Sequence, residues 1–305
     1  MNGNMIVKRT GPRLTVAQQL ARDPAFKGRL LSLHISTPKG NLLRAKDAIR
    51  KYPEELQEVM LQVDRERKIP VPEMLIVPGG IFTMGSKVKI HDHFYNELER
   101  PLRRVTISTF NLAKFETTNK EYFAYLLATG KDISDFQDKK DKLDHPAIVG
   151  WDEAVDYCKW LGGSQNRTFR LPTEAEGEYA ASGTDGRKFP WGNDLDLSRV
   201  TFDAEGTTPV DAHPAGAGPF GHYDLAGNVW EWRSDWLAPY DPKDLIDPKG
   251  PIEKPAESDK KVIRGGSWRD KKPWDEDFLR NSCRNGISIS KDNIGFRVAE
   301  DISKK

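Results

Sequence analysis

The sequence predicts an α+β fold rich in ordered loops, preceded by a small helical region. Three observations carry this. Helical periodicity with clear start signals is confined to a few short segments, and strand-like alternation to a few others. Beyond Ser182 regular patterning fades, yet this stretch holds Trp191, Trp230, Trp232, Trp236, Trp268 and Trp274. A segment so dense in large aromatics buries enough surface to stay ordered without long helices or strands. Eight Trp and 25 Gly among 305 residues favour the same loop-rich architecture over a helical bundle.

Residues 15–68 read as helices. In the clearest, Leu56, Val59, Met60 and Val63 recur at helical spacing; Pro53, Glu54 and Glu55 open it, and Arg65, Arg67 and Lys68 close it, matching the macrodipole. A second covers about 41–51. So short a region buries little surface alone, so it reads as a docking appendage. Ile69-Pro70-Val71-Pro72 is an extended linker, because each proline removes a donor and holds its predecessor out of the helical region. The chain is thereby divided into 1–70 and 71–305. Met74 to Met84 reads as two strands joined at Pro78-Gly79-Gly80, and Val105-Thr106-Ile107 as a third. A helix starts at Thr118, where Glu121 completes a capping box, with Tyr122, Tyr125 and Leu126 on one face. The next runs from Trp151 to Leu161 with Ala154, Val155, Cys158 and Leu161 inward, and stops at Gly162-Gly163. A third follows Thr173, boxed by Glu176.

The 47 Lys and Arg nearly cancel the 46 Asp and Glu, so no global field draws in nucleic acid or an anionic membrane. No segment is long and apolar enough to span a bilayer, and the first thirty residues contain no signal-peptide core. The reading is cytoplasmic as written; a mature secreted protein whose leader was removed would look the same. Cys158 and Cys283 belong to no CxxC or zinc-spaced cluster, and Cys158 reads as a buried apolar thiol.

Four blocks carry a family resemblance. They are Pro78-Gly79-Gly80-Ile81-Phe82-Thr83-Met84-Gly85-Ser86, Arg170-Leu171-Pro172-Thr173-Glu174-Ala175-Glu176, Asp224-Leu225-Ala226-Gly227-Asn228-Val229-Trp230-Glu231-Trp232, and Arg264-Gly265-Gly266-Ser267-Trp268 with Gly295-Phe296-Arg297. Together with Glu116-Thr117-Thr118-Asn119 they resemble the formylglycine-generating enzyme, or sulfatase-modifying factor, family from about Glu73 to Asp301. The resemblance implies a C-type lectin-like fold. One departure is Gly177, where the family usually has a tryptophan between two glutamates; its loss costs packing or leaves a pocket.

In the family's copper-dependent oxidases, two cysteines after the Gly-Gly-Ser-Trp turn bind Cu(I) and handle the substrate thiol. Here those positions fall on Asp270 and on Asp275, or Glu276 with the gap moved by one. Carboxylates are hard ligands and not nucleophilic thiols, so no copper and no catalytic residue of that type is expected. Cys283 alone does not restore the pair, and Val298 stands where some members carry a cysteine, leaving Cys158 without that partner. Relatives that make sulfoxides hold iron on three histidines. Here the N-terminal helices offer only His34, while His91 and His93 sit in a charged run that reads as solvated. Asp270, Asp275 and Asp277 with His222 are the set left for a divergent metal-dependent oxidoreductase.

The resemblance implies one structural Ca²⁺ held by side chains of Asp224 and Glu231 and carbonyls of Gly227 and Val229. The competing reading is that Asp224 caps a turn and Glu231 pairs with an arginine. A second family site falls in a loop shortened around Val200 to Thr207, so one ion is expected rather than two. Between Arg264 and Arg297, the residues Trp268, Arg269, Asp270, Trp274, Asp275, Asp277, Phe278, Ser282 and Asn285 mix aromatic anchors with short polar groups, as recognition surfaces do. Trp268 reads as core; Trp274 and Phe278 read as exposed. The pattern resembles the variable proteins of diversity-generating retroelements, which diversify this window. A non-catalytic protein that binds an unknown protein or other ligand at this surface is therefore expected. The alternatives are the divergent oxidoreductase and a structural or regulatory subunit acting through its N-terminal helices.

Overall fold

The computed structural model describes residues 70–86, 98–132, 139, 141–243, 245–251, 253–273, 275–289 and 291–302. The expected helices of 15–68, with His34, His91, His93 and Trp274, lie outside the described residues. The fold below concerns the compact unit Ile69–Tyr125 with Lys142–Lys305.

It is an α+β unit of short elements. In chain order the strands are β1 (Met74–Val77), β2 (Gly80–Met84), β3 (Arg103–Ile107), β4 (Phe110–Ala113), β5 (Phe169–Arg170), β6 (Trp230–Trp236), β7 (Leu245–Ile246), β8 (Lys261–Arg264), β9 (Asn285–Ile287), β10 (Ile294–Gly295) and β11 (Ala299–Asp301). The helices are α1 (Asn119–Thr129), α2 (Trp151–Gln165) and α3 (Glu174–Ser182). Three small sheets form, in the orders β1-β4-β11-β5, β10-β6-β8-β9 and β2-β3-β7. β10 runs parallel to β6, and β7 parallel to β3.

Alternation explains the strands. In β2, Phe82 and Met84 point inward while Ile81 and Thr83 face out, the period-two pattern of a half-buried strand. Phe82, Met84, Val105 and Ile107 join Val77, Phe110, Leu112 and Ala299 and the α3 residues Ala175, Tyr179 and Ala180 in one core. A smaller cluster of Phe189, Val200, Phe202, Ala226 and Leu279 gives the loop region its own apolar centre. Loops ordered in this way do not depend on strand pairing.

The helix starts follow the sequence. Glu121 accepts from Thr118 N at 2.7 Å while Thr118 Oγ1 accepts from Glu121 N at 3.2 Å, and Thr173 and Glu176 make the same reciprocal box. The expected end of α2 does not hold. The helix passes through Gly162-Gly163 and closes at Asn166, whose φ of 51° puts it in the left-handed region. Gly162 serves packing: a Cβ there would lie 2.7 Å from the Arg167 carbonyl oxygen. Tyr157, not Val155, joins Ala154, Cys158 and Leu161 on the buried face.

Buried ion pairs fix the C-terminal loops. Arg264 Nη2 lies 2.6 Å from Glu174 Oε1, and Arg284 Nη2 donates to Glu174 Oε2 at 2.7 Å. Burial alone would raise the Glu174 pKa, but the Arg284 and Arg264 guanidiniums hold it down at about 2. At Gly177 the space expected for an indole is filled. A Cβ at Gly177 would sit 2.4 Å from Arg233 Nε, so the Arg233 guanidinium stands where a larger residue would otherwise pack.

Glu174→Gln leaves buried Arg284 short of its counter-charge and Arg264 with Glu178 alone, 2.7 Å away, with an expected loss of about 3–5 kcal/mol in chemical denaturation at pH 7. The wild-type contribution is present above the unfolded carboxyl pKa and is lost as pH falls toward about 2. Gly177→Ala is expected to cost about 1–3 kcal/mol by overpacking. Combining it with Arg233→Ala should cost less than the two single changes summed; strict additivity would refute the steric coupling.

Candidate functional site

The segment between the Gly265-Gly266 turn and β10 encloses a cavity of about 500 Å³. Trp230 and Phe278 form an aromatic wall, with ring centroids 5.4 Å apart and planes tilted by 59°. Ile263, Ile287, Ile289 and Ile294 add apolar surface, and Asn285, Asn293, Lys260 and Lys291 place polar groups around it. Asp270 lies in the lining. Its Oδ2 accepts from Ser267 N at 2.7 Å and Ser267 Oγ at 3.1 Å, and the Trp230 indole also donates to the carboxylate. Asn293 Nδ2 donates to Ser267 Oγ at 2.9 Å. The carboxylate is thus pre-positioned by a short chain of bonds. Burial pushes its pKa up to about 6 against those donors, with Asp275 adding to the rise.

The expected recognition residues divide. Asp270, Phe278 and Asn285 come together in the cavity. Ser282 does not line it: its Oγ lies 3.1 Å from Glu99 Oε2 and 2.9 Å from Arg280 Nη1, inside a buried ion pair. Asp277 binds Arg280 Nε, and Asp275 Oδ2 accepts from Lys271 N at 2.9 Å. Arg269 is exposed and pairs with Asp292, and Trp268 is partly rather than fully buried. Trp230 and the isoleucines were missed because their contribution comes from β6, β8, β9, the bend after β9 and the start of β10. Alternation in those short strands gives no hint that they share a cavity.

The second feature is the loop from Asp224 to Glu231. Asp224, Gly227 and Asn228 have φ of 49°, 79° and 56°, which curls the chain tightly. Gly227 N donates to Gly265 O, and Trp268 N to Asn228 O, so this loop braces the turn before Asp270. Glu231 is held by arginines, as the competing sequence reading has it. Arg297 Nη2 lies 2.6 Å from its Oε1 and Arg233 Nη1 2.8 Å from its Oε2. Glu116 is the third carboxylate here, and the sequence reading passed over its role. Asn228 Nδ2 donates to Glu116 Oε2 at 2.8 Å and faces Asp224 Oδ2 at 3.4 Å.

Burial, then repulsion from Asp224 and Glu231, raises Glu116 well above the usual carboxylate range. Burial likewise pushes Asp224 up to about 7. The raised values mean that burial favours the neutral forms of Asp224 and Glu116 when no cation is present; a hard cation on oxygen ligands would favour their charged forms. Among the described residues no three Asp, Glu, His or Cys side chains converge as a complete metal shell. Asp224 and Glu116 would therefore hold such an ion together with main-chain carbonyls, of which those of Gly227 and Val229 are the sequence-expected pair.

Both cysteines are buried and free. Burial pushes each thiol up to about 12, so neither supplies a thiolate near neutrality. No described helix is long and apolar enough to cross a membrane.

Residues 60–302 match the sulfatase-modifying factor enzyme 1-like domain. The chain belongs to this family. It is 31% identical to the formylglycine-generating enzyme of Bos taurus, over 77% of this chain and 76% of that one. It is 30% identical to serine/threonine-protein kinase Pkn1 of Chlamydia trachomatis over 88% of this chain, but spans only 44% of that relative's length. The fold is similar to PvdO from Pseudomonas aeruginosa, with a TM-score of 0.60 and 28% identity over 76% of this chain and 95% of that one. It is also similar to Treponema denticola variable protein 1, with a TM-score of 0.59 and 21% identity over 75% of this chain and 95% of that one. The formylglycine-generating, C-type lectin-like fold expected from the motifs is the fold of this family member.

Asp270→Asn keeps an acceptor for Ser267 but removes a charge whose folded pKa is raised. The charged form opposes folding as pH climbs from about 4 to about 6, and the penalty persists above that window. The variant is expected to be more stable than wild type by about 1 kcal/mol at pH 8, a figure reduced for partial exposure, and equal to it at pH 4. Denaturant titrations at both pH values measure this.

Proposed function

We propose that this chain is a non-catalytic binding protein that uses a lectin-like family scaffold to present the cavity of Asp270, Phe278 and Asn285 to a protein or other ligand. The observation that carries the reading is the state of the position where the resemblance puts the first copper-binding cysteine. Asp270 stands there, anchored through Ser267 and Trp230, beside an aromatic wall, with both thiols of the chain buried elsewhere. Asp270 and Asp275 are each bonded to a backbone nitrogen, and among the described residues no third ligand joins them, which gives little support to a metal-dependent oxidoreductase. A relative of similar identity, 28% over 76% of this chain, is named inactive C-alpha-formylglycine-generating enzyme 2 of Mus musculus.

We also propose a structural Ca²⁺ at the Asp224 loop, supported by the two buried carboxyls of Asp224 and Glu116 that meet around Asn228. Its work would be to hold the loop that braces Gly265 and Trp268, and so the turn that leads to Asp270. Metal analysis of the purified protein is expected to find calcium and neither copper nor iron, and EGTA to lower the melting temperature in wild type but not in Asp224→Asn. Stoichiometric copper or iron that disappears with Asp270→Ala would overturn the binding reading. For the retroelement form of the proposal, sequencing the locus in sibling isolates should find substitutions concentrated in codons 269–294, beside a reverse transcriptase and a template repeat. An even spread of changes over the domain argues against it.

A further inference from the structure

The donors that hold Asp270 in its cavity are neutral: the Ser267 amide and hydroxyl, and the Trp230 indole. The two cations beside it in the sequence are engaged elsewhere. Arg269 pairs with Asp292, and Lys271 Nζ lies 3.2 Å from Asp203 Oδ1. Lys260 and Lys291 also line the cavity, but both are exposed, where charges are largely solvated, and neither is an ion-pair partner of Asp270. The carboxylate therefore faces the cavity without a counter-charge from its own loop.

It also has acceptor capacity to spare. An ionised carboxylate offers about four acceptor positions, more than Ser267 and Trp230 use. Asn293 spends its amide nitrogen on Ser267 Oγ, which leaves its amide oxygen as a second acceptor in the same lining. Trp230 meets Asp270 through its indole N–H edge, so the rest of that ring, with Phe278 and Ile263, is left to flank an apolar group.

We infer that this cavity takes a primary ammonium joined by a short chain to a planar apolar group, an arylalkylamine in chemical class. The ammonium would donate to Asp270 and to Asn293 Oδ1 in charge-assisted bonds, and the ring would lie against Phe278, Trp230 and Ile263. A cavity of about 500 Å³ is in the size range of small-molecule sites and admits such a ligand. The inference rests on the binding reading above and names the ligand class for the same cavity. Burial leaves the Asp270 carboxyl at about 6, so it carries its charge near neutrality. The other charged groups around it are Asp275 on the same loop, which adds to the rise, and Lys260 and Lys291 of the lining.

The test is calorimetric titration of the full chain at pH 7.5 with three probes of one shape: phenethylamine, 2-phenylethanol and 3-phenylpropanoic acid. The amine is expected to bind about tenfold more tightly than the alcohol or the acid. Asp270→Asn should remove that preference and leave the alcohol within about twofold of wild type, with circular dichroism confirming the fold. Replacing both Lys260 and Lys291 with alanine should strengthen amine binding severalfold, because the lysines repel the cation. Amine binding should weaken severalfold from pH 8 to pH 5 as Asp270 takes up a proton. Tighter binding of the acid, or equal binding of amine and alcohol, sinks the cation inference and leaves the binding reading standing. An amine preference that persists in Asp270→Asn, or no binding of any probe, also refutes the inference.

Discussion

The C-terminal loops keep their shape because buried arginines pin them to buried glutamates. Arg264, where β8 ends, and Arg284, ahead of β9, both bind Glu174 at the start of α3. Arg297, just beyond β10, binds Glu231. These groups are almost fully removed from water, so each charge is costly without its partner, and each pairing specifies where a loop must return. Within the stretch they frame, Leu279 and Arg280 are buried in the scaffold, while Arg269 and Lys271 lie exposed on its surface. That separation of scaffold from surface is what makes a binding role physically reasonable for a chain whose thiols are sequestered.

A second constraint acts at the Asp224 loop. Three left-handed residues fold it so tightly that its backbone reaches Gly265 and Trp268, while its carboxylates crowd around Asn228. Electrostatics and cavity geometry are therefore linked: the state of Asp224 and Glu116 bears on the turn that positions Asp270. The same economy of space appears at Gly177, whose missing side chain admits Arg233 and so gives Glu231 its second arginine. A substitution that looked like a packing defect instead completes an ion-pair cluster.

Much of this was legible in the residues themselves. Capping boxes at Thr118 and Thr173 are local chemistry, so they name helix starts without tertiary information. The family resemblance puts the two cysteine positions on Asp270 and on Asp275 or Glu276, and that a carboxylate is no soft ligand follows from the residue type. The helix end at Gly162 was misread since a glycine can terminate a helix or admit a close neighbour, and only the position of the Arg167 carbonyl distinguishes the two.

What tertiary structure decided was which of those residues meet. Sequence could place Phe278 and Asn285 in a window, but Trp230 and Ile263 reach the same cavity through strand pairing across large sequence separations. It could name Glu231 as a ligand or an arginine partner, but the choice depends on where Arg297 returns. Local chemistry is encoded residue by residue, whereas burial and encounter depend on the whole chain closing on itself.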